Sequence, residues 1–156
     1  MKTIGSTIIM LALASSLFAD NGKELKLASP DGTHEIVFYQ KQVSPAVNEL
    51  CYRVDYKSQP VVNESRAGLE LDNRIWEMAL GVRNLKQPAC WMDNLEVDSV
   101  TYQLETNLTW QPLYGERSSV RDHYRAGTLC LSKKDNSGYR LNIEVRAYNE
   151  GVAFRY

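Results

Sequence analysis

The sequence predicts an antiparallel all-β sandwich. Short segments of alternating apolar and polar residues recur along the chain, turn-forming residues separate them, and no long helical period interrupts them. The clearest segment is 139–147, in which every second residue is apolar: Tyr139, Leu141, Ile143, Val145 and Ala147. A period of two places one face of a strand in a core. Seven or more such strands are typical of two packed antiparallel sheets.

A hairpin is predicted at the end of the chain. Residues 149–151 (NEG) form the turn, because glycine readily takes the positive φ that closes a hairpin. The expected register pairs Ala147 with Val152, Val145 with Phe154 and Ile143 with Tyr156. Because the sequence stops at the third inward side chain of this strand, we expect a domain that is incomplete at its C-terminus and leaves a sheet edge open.

The remaining strands are placed by the same period. They are predicted at residues 24–27, 34–40, 50–56, 61–62, 68–71, 95–104 and 128–132, with turns at 29–32, 57–60 and 133–138. Residues 72–91 break the period. Their apolar side chains are compatible either with one or two helical turns or with a long loop.

The N-terminus has the layout of a secretory signal peptide. Lys2 is followed by no charge until Asp20, an apolar run occupies residues 8–14, and Ala19 offers a small residue for cleavage. We expect an exported, periplasmic or secreted protein in which residues 20–156 form the mature domain, with no membrane association after cleavage. An uncleaved anchor is the alternative, although the apolar run is short for a membrane span.

The net charge and the cysteines indicate which ligands, cross-links and metal sites to expect. The net charge is −1, so the composition indicates neither nucleic acid nor an anionic membrane as a ligand. The three cysteines, Cys51, Cys90 and Cys130, are widely spaced and odd in number. They fit neither a disulfide framework nor a zinc site, and they are compatible with one bridge or with three separate thiols.

One segment combines aromatic, basic, acidic and histidine residues. Its candidate substrate-binding residues are Trp110, Tyr114, Glu116, Arg121 and His123. Aromatic rings can stack on sugar rings while arginines hydrogen-bond to hydroxyl groups. Such rings are also common in cores and at domain contacts, so packing is the alternative.

Catalytic and metal chemistry have weaker support in the same segment. Glu116 and Asp122 would act as a glycosidase pair only if the chain between them doubled back, and solvated loop acids are the simpler interpretation. His123 beside these acids forms no recognised metal-ligand spacing, and a strand-capping or domain-contacting histidine is the alternative. We therefore predict no catalytic and no metal-ligating residue in this chain.

Several segments, taken in order, resemble the N-terminal domain of glycoside hydrolase family 97. They are residues 27–32 (LASPDG), 56–62 (YKSQPVV), 65–71 (SRAGLEL), 110–116 (WQPLYGE), 120–124 (VRDHY) and 149–156 (NEGVAFRY). The sequence departs from the usual family pattern at Ala67, at Asp122 and in the longer connection 72–91.

The resemblance implies a large exported bacterial enzyme that hydrolyses α-linked glucose or galactose. Its N-terminal β-supersandwich, similar to the galactose mutarotase fold, would precede a (β/α)8 barrel and a small C-terminal β-domain. The resemblance also implies calcium near the active site of the parent enzyme, with catalytic and calcium-binding residues outside the present sequence. This chain would then be a supporting domain that is inactive alone, and its partners would be the barrel of the same polypeptide and an oligo- or polysaccharide. A free-standing carbohydrate-binding sandwich and an exported interaction domain are the alternatives.

Overall fold

The computed structural model describes residues 23–45, 47–83, 89–134 and 138–156, and these residues form eleven strands. The predicted signal peptide, residues 1–19, lies outside the described residues. The strands are β1 (Leu25–Ala28), β2 (His34–Ser44), β3 (Val47–Tyr56), β4 (Gln59–Arg66), β5 (Leu69–Glu70), β6 (Cys90–Trp91), β7 (Leu95–Tyr102), β8 (Thr106–Trp110), β9 (Val120–Lys133), β10 (Arg140–Tyr148) and β11 (Gly151–Arg155). A single helix of the described residues, α1, spans Asn73–Leu80.

Two antiparallel sheets face each other. The first has the strand order β1-β2-β3-β4, and the second has the order β11-β10-β9-β7, with β8 also paired to β9. A small ladder of β5 and β6 stands apart from both sheets. This arrangement confirms the predicted antiparallel β-sandwich. In the described parts of the chain, no helix has both the length and the apolar character needed to cross a membrane.

The core lies between the sheets and is built from alternate residues. On β10, Ile143, Val145 and Ala147 are fully buried while the residues between them are exposed. The other fully buried apolar side chains of this core come from five further strands: Leu25, Ile36, Phe38, Leu50, Leu95, Leu129 and Leu131. Val37 is also buried, but it lies on the opposite face of β2. Removal of these side chains from water is the main term that stabilises the fold.

The predicted terminal hairpin is confirmed over most of its length. Ala147 pairs with Val152 and Val145 pairs with Phe154. The predicted pair of Ile143 with Tyr156 is wrong, because the ladder ends one residue earlier. The Tyr156 hydroxyl instead accepts a hydrogen bond from the backbone N–H of Gly68 at 2.8 Å.

Several strand boundaries also differ from the prediction; β2 continues to Ser44 and β3 begins at Val47, beyond the predicted 34–40 and 50–56. Residues 61–62 belong to an eight-residue strand, β4, because positive φ at Lys57 and Ser58 turns the chain within two residues. The strand expected over 95–104 ends at Tyr102, which leaves Leu104 94% exposed. The strand expected over 128–132 is the C-terminal part of β9, which begins at Val120.

The ambiguous segment 72–91 contains a two-turn helix and the strand β6. Asp72 caps α1 by accepting a hydrogen bond from the Arg74 N–H at 2.9 Å, and Gly81 ends it in the left-handed conformation. The three cysteines are separate free thiols, and burial raises the pKa of the Cys51 thiol. The interpretation as three separate thiols agrees with this structure.

Candidate functional site

Strand β9 extends beyond the part of the sheet in which it pairs with β7 and β10. Its C-terminal part pairs with β10 from residue 124 and with β7 from residue 127, whereas residues 120–123 pair, among the described strands, with β8 alone. Residues 105–124 therefore form a two-stranded ribbon that extends from one end of the sandwich, with a loop at residues 111–119. This ribbon carries all five candidate substrate-binding residues.

One face of the ribbon is polar and joined by hydrogen bonds. Arg121 Nε donates to Asn107 Oδ1 at 3.0 Å, across the β8–β9 ladder. His123 Nε2 lies 2.7 Å from Glu105 Oε1, and Arg125 Nε donates to Glu105 Oε2 at 3.0 Å. The Glu105 carboxylate thus links two residues of β9 that are adjacent on the same face. Hydrogen bonds from His123 and Arg125 hold the pKa of Glu105 below its ordinary value.

The base of the ribbon is tied to the first sheet. The Arg125 guanidinium donates to the carbonyl oxygens of Ser29 and Pro30 at 3.3 and 3.4 Å. The backbone N–H of Asp31 in the same turn donates to Asn149 Oδ1 at 3.1 Å, which connects the β1–β2 turn to the terminal hairpin. The ribbon therefore projects from a fixed base.

The opposite face of the ribbon carries Trp110 and Asp122. Trp110 pairs with Val120 and Leu108 with Asp122, so their side chains alternate with those of Arg121 and His123. Trp110 is 53% exposed. Trp110 is therefore not part of the core that the described residues form.

The loop carries the remaining two candidates. Tyr114 is 90% exposed and lies outside the core of the described residues, and Glu116 is exposed. The structure therefore brings Arg121 and His123 together but separates them from Trp110, and it holds Tyr114 and Glu116 on the loop beyond both. Tyr124 lies at the base, where Arg146 stacks on its ring at 4.4 Å from the centroid.

Metal binding at His123 has no geometric support. Asp122 and His123 are consecutive in a strand and point to opposite faces. Among the described residues, no group of three or more histidine, cysteine, aspartate or glutamate side chains could hold a metal ion. The partner of His123 is Glu105, which belongs to no motif in the sequence. Pairing β8 with β9 in register would have indicated it, since Glu105 then falls on the face of His123 and Arg125.

The β1–β2 turn beneath the ribbon contains Asp31, a carboxylate that accepts several hydrogen bonds. Asp31 accepts hydrogen bonds from Ser29 Oγ at 2.6 Å, from the Thr33 N–H at 3.0 Å and from Thr33 Oγ1 at 2.8 Å. Led by the Ser29 bond, these contacts lower the pKa of Asp31 to about 2.

Because the folded state prefers ionised Asp31, we expect its stabilising contribution to be complete above about pH 4 and to be lost as pH falls towards 2. The Asp31→Asn variant should therefore differ most from the wild type in melting temperature at pH 5, and the difference should shrink towards pH 2. A difference independent of pH would contradict this account. Glu150→Gln, in the exposed turn between β10 and β11, is the matched control.

Known proteins are similar to this chain in sequence and in fold. A family model described as "Glycosyl-hydrolase 97 N-terminal" matches residues 27–156. The chain is 26% identical over 150 residues to a retaining α-galactosidase of Bacteroides thetaiotaomicron, a match that covers 96% of this chain and 19% of that protein. A glycoside hydrolase family 97 enzyme from Pseudoalteromonas sp. strain K8, solved in complex with panose and in complex with acarbose, is 27% identical with a TM-score of 0.66 in each case. These matches cover 85% of this chain and 17% of the enzyme, so the chain spans less than a fifth of the length of these relatives.

Proposed function

This chain belongs to glycosyl hydrolase family 97, as its N-terminal domain, and from that premise we propose that it is the supporting sandwich of an exported bacterial α-glycosidase. The parent enzyme would hydrolyse α-linked glucose or galactose in an oligo- or polysaccharide. Export would follow from cleavage after Ala19, with the product in the periplasm or outside the cell.

The family match over residues 27–156 is the observation that supports this proposal most strongly. The structural match agrees with it, because the enzyme from Pseudoalteromonas has a domain of this fold within a much longer chain. The named activity of the Bacteroides relative, a retaining α-galactosidase, supports an α-glycoside as the substrate class.

The catalytic groups are proposed to lie in another domain of the same polypeptide, a (β/α)8 barrel. Glycoside cleavage requires two carboxyl groups held roughly 5–9.5 Å apart, with one of them protonated. Three observations support this placement: Glu105 already accepts hydrogen bonds from two basic side chains, Glu116 is exposed on a loop, and Asp122 lies on the opposite face of the ribbon from Glu105. Calcium is proposed as a cofactor of the parent enzyme, bound by residues that follow Tyr156.

We propose that the ribbon contributes to the rim of the substrate site. The arginine and histidine on its polar face are positioned by hydrogen bonds, and Arg121 remains exposed. Trp110 and Tyr114 present exposed aromatic surface, which is suited both to contact with a neighbouring domain and to stacking on a sugar ring. The exposed aromatic rings are also the observation that favours the second candidate, a carbohydrate-binding sandwich without hydrolytic activity.

The test is to express the complete open reading frame that contains this chain and to assay aryl α-glucosides, aryl α-galactosides and the corresponding β-anomers. We expect hydrolysis of at least one α-glycoside, none of the β-anomers, and a lower rate after treatment with a calcium chelator. Binding of oligosaccharides without hydrolysis would overturn the enzyme proposal in favour of the carbohydrate-binding alternative.

A further inference from the structure

The second sheet carries a cluster of aromatic and charged side chains on its outer face, the face opposite the core. Tyr124 on β9 pairs with Tyr148 on β10, and their ring centroids lie 5.2 Å apart. Arg146 lies two residues before Tyr148 and therefore on the same face. Its guanidinium stacks on the Tyr124 ring at 4.4 Å and donates a hydrogen bond to the Tyr148 hydroxyl at 3.4 Å. Each of these three side chains, the Arg146 cluster, is thus positioned by the other two.

A recess of about 220 Å³ lies beside the Arg146 cluster, on strands β10 and β11. It is lined by polar, aromatic and apolar side chains: Glu144, Arg146, Tyr148, Ala153, Phe154 and Arg155. Arg155 Nε donates to Glu144 Oε2 at 2.7 Å, so these two residues form an ion pair across the β10–β11 ladder. Pockets for drug-sized ligands occupy about 300–1,000 Å³. The recess therefore suits a smaller unit, of the size of a single sugar ring.

The charges around the recess indicate a neutral ligand. Glu144 neutralises Arg155. The hydrogen bond to Tyr148 raises the pKa of Arg146, and the nearby carboxylate of Asp122 acts in the same direction. These four charged side chains, two of each sign, give no net attraction to an ion. Arginine N–H donors, carboxylate acceptors and aromatic rings are together complementary to the hydroxyl groups and apolar faces of a sugar.

The same face continues from the Arg146 cluster onto the ribbon. Leu108, Trp110 and Asp122 project from the ribbon in phase with Tyr124. Trp110 pairs with Val120, which lies four residues from Tyr124 along β9. At about 3.3 Å per residue, Trp110 is roughly 13 Å from the Arg146 cluster along the strand. A chain of a few sugar rings spans this distance, so one ligand reaches both the recess and the exposed indole.

We propose that the recess and the outer face from Tyr148 to Trp110 form a binding surface for a neutral, α-linked polysaccharide. The proposal rests on the proposed function, which supplies the α-glycoside as the substrate class. The recess holds one sugar ring through hydrogen bonds from Arg146 and to Glu144, and Trp110 stacks on another ring of the same polymer. The surface thereby keeps a polymeric substrate on the protein with one end at the ribbon.

A neighbouring protein domain fits this face less well than a polysaccharide does. The centres of protein–protein interfaces are depleted of charged residues, whereas Glu144, Arg146 and Arg155 are exposed at the centre of this surface. Helix α1 provides a contrast, because its exposed side chains include the apolar Trp76 and Met78.

The test is affinity electrophoresis of the complete polypeptide in native gels that contain amylopectin, which is α-linked glucose, or galactomannan, which carries α-linked galactose. The variant Arg146→Ala removes the centre of the cluster. Ala153→Leu fills the recess from an exposed position and leaves every polar group in place. The matched control is Arg53→Ala, which removes an exposed arginine with a carboxylate partner, Asp55, from the outer face of the first sheet. Far-UV circular dichroism verifies that the proteins are folded, and Ala153→Leu decides the test if Arg146→Ala does not fold.

We expect at least one of the two polymers to retard the wild type and Arg53→Ala equally. Arg146→Ala and Ala153→Leu should each raise the dissociation constant for that polymer at least about tenfold, because a central contact or the space for a sugar ring is lost. No retardation of the wild type, or unchanged retardation of either folded variant, would overturn the proposal. Stronger retardation by the polyanion polygalacturonate than by both neutral polymers would also overturn it.

The outcome is separable from that of the functional assay. Retardation that depends on Arg146 and on the recess, without hydrolysis of any α-glycoside, would support the binding surface and refute the proposed enzyme. Hydrolysis of an α-glycoside by a protein whose retardation survives both substitutions would refute the binding surface alone.

Discussion

Residues 20–156, purified alone, are expected to show no turnover of aryl α-glucosides or α-galactosides, with or without calcium. Enzymes accelerate such reactions by about 10⁶-fold or more, and this requires two carboxyl groups held at a working distance around the substrate. On the ribbon, Glu105 is paired with His123 and Arg125, Glu116 is exposed on the loop, and Asp122 is half-buried on the face opposite Arg121 and His123. The complete polypeptide, assayed in parallel, supplies the positive control.

Glu116, on the loop of the ribbon, provides a second test of the supporting role proposed for this domain. In the complete polypeptide, Glu116→Ala should leave kcat/KM within about tenfold of the wild type, because Glu116 is exposed on a loop and is not expected to transfer a proton. A fall of ~10³ or more without a change in melting temperature would make Glu116 a direct participant. The supporting role proposed for this domain would then be wrong. Glu150→Ala, at another exposed turn acid, is the matched control.

The Phe38→Ala variant is expected to lose about 3–5 kcal/mol of unfolding free energy, the range for removing a buried aromatic ring. Phe38 is fully buried on β2, and its ring contacts those of Phe154 and Tyr52 at centroid distances of 5.2 and 5.5 Å. The edge-to-face contact with Phe154, at 84°, joins the two sheets. The substitution therefore removes apolar burial, an aromatic contact and the packing that links the sheets.

Equilibrium unfolding in urea, followed by tryptophan fluorescence, measures this loss, because Trp91 is 4% exposed and changes environment when the sandwich unfolds. Val61→Ala, at an exposed position of β4, should change the free energy of unfolding by less than about 0.5 kcal/mol. A loss below about 1 kcal/mol in Phe38→Ala would show that Phe38 does not lie in a closely packed core.

One end of the described domain carries the ribbon, which Arg125 holds to the first sheet and which presents exposed aromatic and basic side chains. We propose this surface for the rim of the substrate site.

The sequence alone determined the parts of the fold in which a strand has one buried face. The β10–β11 hairpin was predicted in the observed register, with Ala147 opposite Val152 and Val145 opposite Phe154. A shift by one position would move every buried side chain to the solvent face. The turn at 29–32 was predicted for a related reason, since proline, aspartate and glycine restrict the backbone locally. Turn-forming residues and strands with one buried face can therefore both be recognised from the sequence.

The tertiary structure was needed to reveal the ribbon, the partner of His123 and the orientation of α1. Both faces of the ribbon are solvated, so residues such as Leu108 and Arg121 carry no alternation that a core would impose. The contact between His123 and Glu105 depends on the register in which β8 pairs with β9 across the loop 111–119. The apolar period of α1 indicates a helix but not which side is covered, because this depends on what packs against it rather than on the helix itself.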